Sequence, residues 1–174
     1  LEISAAWKPL PPGEVAALMD GAGIFWCLAG GYAIERFAGR SWRTHGDTDI
    51  VILRPDQLAL QGWLRGWRLS VMDPPGTLRP WAKDEMLPSH AHDVWAHREG
   101  SGHWELQVML QETAGESWVY RRDDRVRGPL AELAEIVDGI PCLRLDLQLL
   151  YKSKEPRTKD DADLRSVLPL LSKR

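Results

Sequence analysis

The chain has 174 residues, of which 44% are hydrophobic and 27% are charged, and its formal net charge is -3. This length suits one domain with a core of its own, and the composition is that of an ordinary globular protein. The slight negative charge argues against the basic surface that duplex nucleic acid requires, and no apolar run reaches the roughly 18 to 20 residues that cross a membrane.

Hydrophobic periodicity, β-branched runs and the positions of glycine and proline predict alternating helices and strands. In chain order they predict a helix over residues 14–19, a strand over 24–29, a helix over 32–37, a strand over 49–53, a helix over 57–64, a strand over 67–72, strands over 93–97, 104–110 and 118–122, and helices over 130–136, 145–151 and 160–171. Between residues 73 and 92 the chain is rich in proline and shows no period, which predicts a long loop.

Interleaved strands and helices indicate an α+β fold, with a mixed β-sheet flanked by helices and a helical C-terminal segment. We predict a single domain over residues 1–174, with its core at about 14–125 and a helical extension at about 129–174. The first residues lack the basic-then-apolar order of a signal peptide, so we expect a cytoplasmic protein.

Two short motifs carry the candidate chemistry. Gly30 and Gly31 directly follow a predicted strand, where they let the backbone turn sharply beside a ligand. A helix that begins there offers free N–H groups and a favourable dipole to a phosphate. Asp47 and Asp49 are two residues apart at the start of the strand over 49–53, so their carboxylates project from one face. Because the two carboxylates repel each other, they suit Mg²⁺, which is typically held by one or two carboxylates and substrate phosphates.

Each motif alone has a plain structural interpretation, as a turn and as a solvated strand edge. In the order strand, Gly-Gly, helix, loop, Asp-x-Asp, strand, they resemble the DNA polymerase β-like nucleotidyltransferase superfamily, in its minimal aminoglycoside and lincosamide nucleotidyltransferase branch. The matching residues are Gly30, Gly31, Ala33, Gly39, Arg43, His45, Asp47 and Asp49. The chain departs from this branch at Tyr32 and Glu35, where the branch has Trp and Asp.

The resemblance implies a metal-dependent enzyme that moves a nucleoside monophosphate from a nucleoside triphosphate, with ATP expected, to a hydroxyl of a small molecule such as an aminoglycoside- or lincosamide-like antibiotic. Asp47 and Asp49 would hold one or two Mg²⁺ ions. A third carboxylate is implied on a neighbouring strand, where it holds metal or accepts the proton of the acceptor. Glu105 is the first choice, because an acid in an apolar strand needs a partner, and Asp93 is the alternative.

For the triphosphate we expect contacts from Gly30, Gly31, Arg43 and His45, and from Lys152 and Lys159 near the C-terminus. The plain interpretation makes Arg43 a loop-ordering residue, His45 a surface residue and the two lysines solvated. For the acids that follow, the plain interpretation is favoured: Thr158 or Asp160 caps the last helix, and Asp161 and Asp163 complement its dipole.

An aminoglycoside acceptor would need an acidic cleft, to which Asp84, Glu85, Asp93 and Glu99 could contribute, and Trp81 and Trp95 could stack on a sugar face. Two other functions stay open. One is modification of a protein, as by the antitoxin half of a two-component system, and the other is a non-catalytic nucleotide-binding module. We expect neither duplex nucleic acid nor a membrane as a partner, while a homodimer and the identity of the acceptor stay open.

Overall fold

Short apolar and β-branched runs form the strands of one mixed sheet, since such side chains favour extended backbone. A computed structural model describes residues 6–153 and 158–171, with the side chain of Lys159 outside that description. The strands in these residues are β1 (Trp26–Ala29), β2 (Asp49–Leu53), β3 (Trp67–Met72), β4 (Leu78–Pro80), β5 (Asp93–Arg98), β6 (Leu106–Ala114), β7 (Ser117–Val119), β8 (Arg127–Pro129), β9 (Ala134–Val137) and β10 (Ile140–Leu143). The helices are α1 (Pro12–Met19), α2 (Gly30–Ala38), α3 (Gln57–Trp63), α4 (Leu145–Lys152) and α5 (Thr158–Leu171).

The sheet has the order β4-β3-β5-β6-β2-β1-β10-β9, and β7 and β8 extend from β6. β2 lies antiparallel to β1 and parallel to β6. In this register Asp49 pairs with Ala29 on one side and with Gln107 on the other. The predicted mixed sheet with flanking helices is therefore confirmed, and Asp49 lies on a central strand.

Alternation along β2 sends neighbouring side chains to opposite faces of the sheet. Ile50 and Ile52 are fully buried in the main core, which also contains side chains from α1 and α3. Val51 packs on the other face with Cys27 and with side chains of α4. Asp49 shares the face of Val51, so the pleat of β2 places its carboxylate on the side that α4 covers.

The C-terminal helix α5 packs against α2 and α4. Ile34, Leu145 and Val167, one from each of these helices, form a buried apolar cluster. This contact brings the C-terminal helix next to the loop that precedes Asp47. Within residues 6–153 and 158–171, no helix has the length and apolar character needed to span a bilayer.

The helix predicted over residues 130–136 is wrong. Only Leu130–Glu132 form a single 3₁₀ turn, and the chain then makes the β9–β10 hairpin, whose second strand pairs with β1. The two turn residues, Asp138 and Gly139, have φ values of 47° and 78°, as a type I′ hairpin turn requires. The sheet thus extends into the segment predicted to be helical, and β4 likewise lies within the predicted loop over 73–92.

Candidate active site

A cavity of about 510 Å³ is lined by residues of β1, β2, β6, α4 and α5. Its size is within the usual range for sites that bind small molecules. Its charged lining residues are three acids and three bases, namely Asp47, Asp49, Asp160, Arg121, Arg122 and Lys152. Acids that suit a cation therefore share one cavity with bases that suit phosphates.

Asp47 and Asp49 both line this cavity. Between them, Thr48 is buried, and its hydroxyl donates a 2.6 Å hydrogen bond to the carbonyl of Leu10. Because Thr48 turns toward the N-terminal segment, the residues on either side of it face the other way. The structure thus brings the two predicted metal-holding carboxylates together.

Gly30 also lines the cavity and begins α2. Its φ is +66°, and a Cβ added there would collide with the Asp49 carboxylate. The residue that precedes α2, Ala29, has no side chain that could cap this end of the helix. Gly30 therefore allows a carboxylate and the start of a helix to lie in contact.

Gly31 has a different role from the one that the sequence suggested. It is not among the cavity-lining residues, and a Cβ added there would meet the side chains of Arg43 and His45. Its small size makes room for the loop after α2. The prediction that Gly31 opens a path for phosphate has no support from this position.

Arg43 and His45 likewise lie behind the first turn of α2, outside the cavity lining. The imidazole of His45 is buried, lies 4.1 Å from the Tyr32 ring between centroids, and places Nε2 3.0 Å from Oε2 of Glu35. The structure therefore does not bring the two predicted phosphate ligands to the cavity. They order the loop that leads to Asp47.

Glu35 anchors this loop. Its Oε1 accepts hydrogen bonds from the backbone N–H groups of Trp42 and Arg43, at 3.0 and 3.2 Å. Burial acts to raise the pKa of Glu35, but hydrogen bonds from Ser41, Trp42 and His45 outweigh it and lower that pKa to about 2. Glu35 is thus ionised at neutral pH and fixes the approach to Asp47.

Lys152 lines the cavity, as expected for a phosphate contact. Its Nζ lies 2.5 Å from Oδ1 of Asp160 and 3.2 Å from Oδ2 of Asp163. These two acids are only 5% and 0% exposed, and both pair with Lys152, a contact that the interpretation as a cap and a dipole partner did not include. Lys159 lies in α5, and its side chain falls outside the described part of the structure.

Arg121 and Arg122 line the cavity but were not predicted as site residues from the sequence. Arg122 donates hydrogen bonds from Nη1 to the Tyr120 hydroxyl and the Tyr151 carbonyl, both at 3.1 Å, and the Arg121 guanidinium lies 5.6 Å from the centre of the Tyr151 ring. Burial, together with the positive charge of Arg121 and other cations, lowers the pKa of His92 to about 4. The pair of adjacent arginines after a short strand was the available signal in the sequence.

Glu105 does not line the cavity. It precedes β6, is 5% exposed, and its Oε2 accepts a 2.6 Å hydrogen bond from the backbone N–H of Arg98. Asp93, the alternative, pairs with the lining residue Met109 and accepts a 3.3 Å hydrogen bond from the lining residue Gln107. Asp93 therefore lies beside the cavity, whereas Glu105 does not.

The residues expected to bind the acceptor are not brought together. Trp81 is buried, and its indole donates a 2.8 Å hydrogen bond to the Glu85 carbonyl. The carboxylate of Glu85 is paired with Arg79, and Glu99 and Asp84 are exposed.

Trp95 is half-buried and pairs with Gln107, which in turn pairs with Asp49. Of these residues, Trp95 and Asp93 lie beside the cavity.

The carboxylates of Asp47 and Asp49 fit Mg²⁺ better than a divalent cation that needs three or more protein ligands. In residues 6–153 and 158–171, no group of three or more His, Cys, Asp or Glu residues is arranged to hold a metal. Mg²⁺ does not need such a cage, because it usually keeps water and phosphate ligands beside one or two carboxylates. Asp47 and Asp49 are the residues that fit this role.

No family model matches the chain, and no curated protein sequence matches it. Among solved structures, the lincosamide antibiotic adenylyltransferase LnuA with lincomycin bound matches with a TM-score of 0.60 and 15% identity, over 89% of this chain and 92% of LnuA. The antibiotic-resistance factor ANT(2'')-Ia in solution matches with a TM-score of 0.55 and 16% identity, over 91% and 81% of the two chains. ANT(2'')-Ia in complex with adenylyl-2''-tobramycin gives 0.56 and 16%, over 91% and 86%. The chain therefore shares the fold of these enzymes, and the resemblance seen in the sequence is confirmed for the fold.

Proposed function

We propose that the protein is a metal-dependent nucleotidyltransferase that moves a nucleoside monophosphate from a nucleoside triphosphate to a hydroxyl of a small molecule. The observation that carries this proposal is the cavity itself. It combines the carboxylates of Asp47 and Asp49, the start of α2 at Gly30 and the cations Arg121, Arg122 and Lys152. A metal–triphosphate complex needs carboxylates for the cation and cationic donors for the phosphates.

The chain's own residues bind and orient the triphosphate. Arg121, Arg122 and Lys152 donate to its phosphate oxygens and hold the charge that collects on the leaving pyrophosphate. Val51, Met109 and Leu143 form an apolar part of the cavity lining. A divalent cation held by Asp47 and Asp49 would supply charge neutralisation at the α-phosphate.

The acceptor approaches from the β5 side of the cavity. Asp93 takes the proton of the acceptor hydroxyl, the oxygen forms a bond to the α-phosphorus, and the bond to pyrophosphate breaks. Trp95, two strands from Asp49 and on the same face of the sheet, offers its half-buried indole to one face of a sugar ring. We propose ATP as the donor and an antibiotic-like molecule as the acceptor. Among the structural neighbours, LnuA is an adenylyltransferase with lincomycin bound, and ANT(2'')-Ia is in complex with adenylyl-2''-tobramycin.

Mass spectrometry of acceptors tests this function. The protein is incubated with ATP and Mg²⁺ and with a panel of lincosamides, aminoglycosides and total protein. We expect one small molecule to gain the mass of a nucleoside monophosphate. A gain on protein alone would instead support the protein-modifying alternative, and triphosphate binding without any transfer would support a non-catalytic module.

A substitution of Arg121 tests the phosphate contact that the sequence did not reveal. Arg121→Met should weaken ATP binding by roughly tenfold to a hundredfold, because a hydrogen bond between charged groups contributes about 1.5 to 3 kcal/mol. Calorimetry of ATP binding in Mg²⁺ provides the measurement. Arg127→Met is the matched control, since Arg127 is exposed and lies outside the cavity lining. Equal affinity in the two variants would contradict the role of Arg121.

A further inference from the structure

Asp163 is a fully buried carboxylate that the chemistry proposed above does not use. It lies in α5, outside the cavity lining, and is 0% exposed. A buried charge is costly unless several partners compensate for it. The partners of Asp163 therefore indicate why the chain keeps an acid in this position.

Both oxygens of Asp163 serve two donors each. Oδ1 accepts from the indole of Trp42 at 3.3 Å and from Nε of Arg43 at 3.2 Å. Oδ2 accepts from Nη2 of Arg43 at 3.2 Å and lies 3.2 Å from Nζ of Lys152. Arg43 thus binds both oxygens of the carboxylate, one through Nε and the other through Nη2. Lys152 contacts the second of these oxygens.

These partners belong to two different parts of the candidate site. Trp42 and Arg43 lie in the loop between α2 and β2, which leads directly to Asp47. Lys152 ends α4 and lines the cavity. One carboxylate on α5 therefore connects the segment that leads to Asp47 with a cation that lines the cavity.

We propose that Asp163 is a positioning residue for the triphosphate site, an inference that rests on the proposed function. Asp160 and Asp163 hold the Lys152 ammonium between them, and an ammonium group has three donors, so this arrangement aims the remaining donor at the cavity. Arg43 also pairs with Asp163, so Lys152 does not face two uncompensated carboxylates. α5 thereby sets the orientation of a phosphate-binding cation without touching the substrate.

A double-mutant cycle on ATP affinity tests this inference. Asp163→Asn keeps the shape of the side chain and removes its charge, and we expect Kd for ATP with Mg²⁺ to rise by about tenfold. Lys152→Met should raise it by a similar factor. The double variant should bind no more weakly than Lys152→Met alone, because Asp163 acts through Lys152. Asp161→Asn, an exposed neighbour on the same helix, is the matched control and should bind like the wild type.

The outcomes separate the two proposals. Wild-type protein that does not bind ATP would overturn the proposed function, whereas a wild-type Kd in Asp163→Asn would overturn only the positioning role. If Asp163 were merely structural, the rises in Kd of the two single variants would multiply in the double variant. That result would also overturn the positioning role. If Asp163→Asn does not fold, Arg43→Gln replaces it. Arg43 lies outside the cavity lining but also orders the loop that leads to Asp47, so the variant is compared in two backgrounds. A rise in Kd that disappears in the Lys152→Met background supports transmission through Asp163 to Lys152, and an unchanged Kd or a rise that persists in that background contradicts it.

Discussion

Replacing Asp49 with asparagine should reduce nucleotide transfer by roughly a thousandfold or more while the protein stays folded. The variant keeps the size of the side chain but removes one of two carboxylates that are proposed to hold the cation, and such an ion stabilises the transition state by several kcal/mol. The same result is expected for Asp47→Asn, because both residues line one cavity.

The stability of these variants separates a metal site from a structural ion pair. Adjacent carboxylates repel each other, so the metal-free variants should unfold at the same temperature as the wild type or at a higher one. Thermal unfolding in EDTA and mass spectrometry of the acceptor give the two measurements. Asp124→Asn, at an exposed position outside the cavity lining, serves as the control. Loss of metal-free stability in the Asp47→Asn/Asp49→Asn double variant would argue against this assignment.

Adding a single methyl group at Gly30 should lower both the transfer activity and the stability of the protein. With φ at +66°, alanine is strained by about 1 to 3 kcal/mol, and its Cβ would collide with the Asp49 carboxylate. We therefore expect Gly30→Ala to lower the free energy of unfolding by at least this amount. Transfer should fall by about a hundredfold or more, because Asp49 is displaced.

Gly62 offers a matched control for this substitution. It lies in α3, its added Cβ meets nothing within 4 Å, and its φ is outside the left-handed region. Gly62→Ala should therefore leave transfer unchanged and raise stability by about 0.5 to 1 kcal/mol. Chemical denaturation and the transfer assay measure both variants. Wild-type activity in Gly30→Ala would contradict the contact between Gly30 and Asp49 that shapes the cavity.

The part of the site that the sequence predicts well is local in the chain. Gly30, Asp47 and Asp49 were found because strand pleating and a glycine turn decide their placement within a few residues. The β9–β10 hairpin was missed although Asp138-Gly139 is a strong two-residue turn signal, because the apolar spacing before it also suited a helix. In such short apolar segments the pairing partner decides between helix and strand, and here that partner is β1.

The remainder of the site depends on contacts between distant parts of the chain. Asp163 meets Arg43 across 120 positions, which no local pattern encodes. The different placements of Glu105 and Asp93 have a similar origin. β6 begins one residue after Glu105, where the carboxylate bonds to the Arg98 backbone, whereas the register of β5 brings Asp93 beside Gln107 and Met109.

Calorimetric titration of ATP tests the central claim most directly, namely that Asp47 and Asp49 join a cation and a triphosphate in this cavity. We predict that ATP binds the wild-type protein in the presence of Mg²⁺, that EDTA abolishes this binding, and that the Asp47→Asn/Asp49→Asn variant does not bind even with Mg²⁺. Equal ATP affinity with and without the metal, or unchanged Mg²⁺-dependent binding in the double variant, would contradict the account.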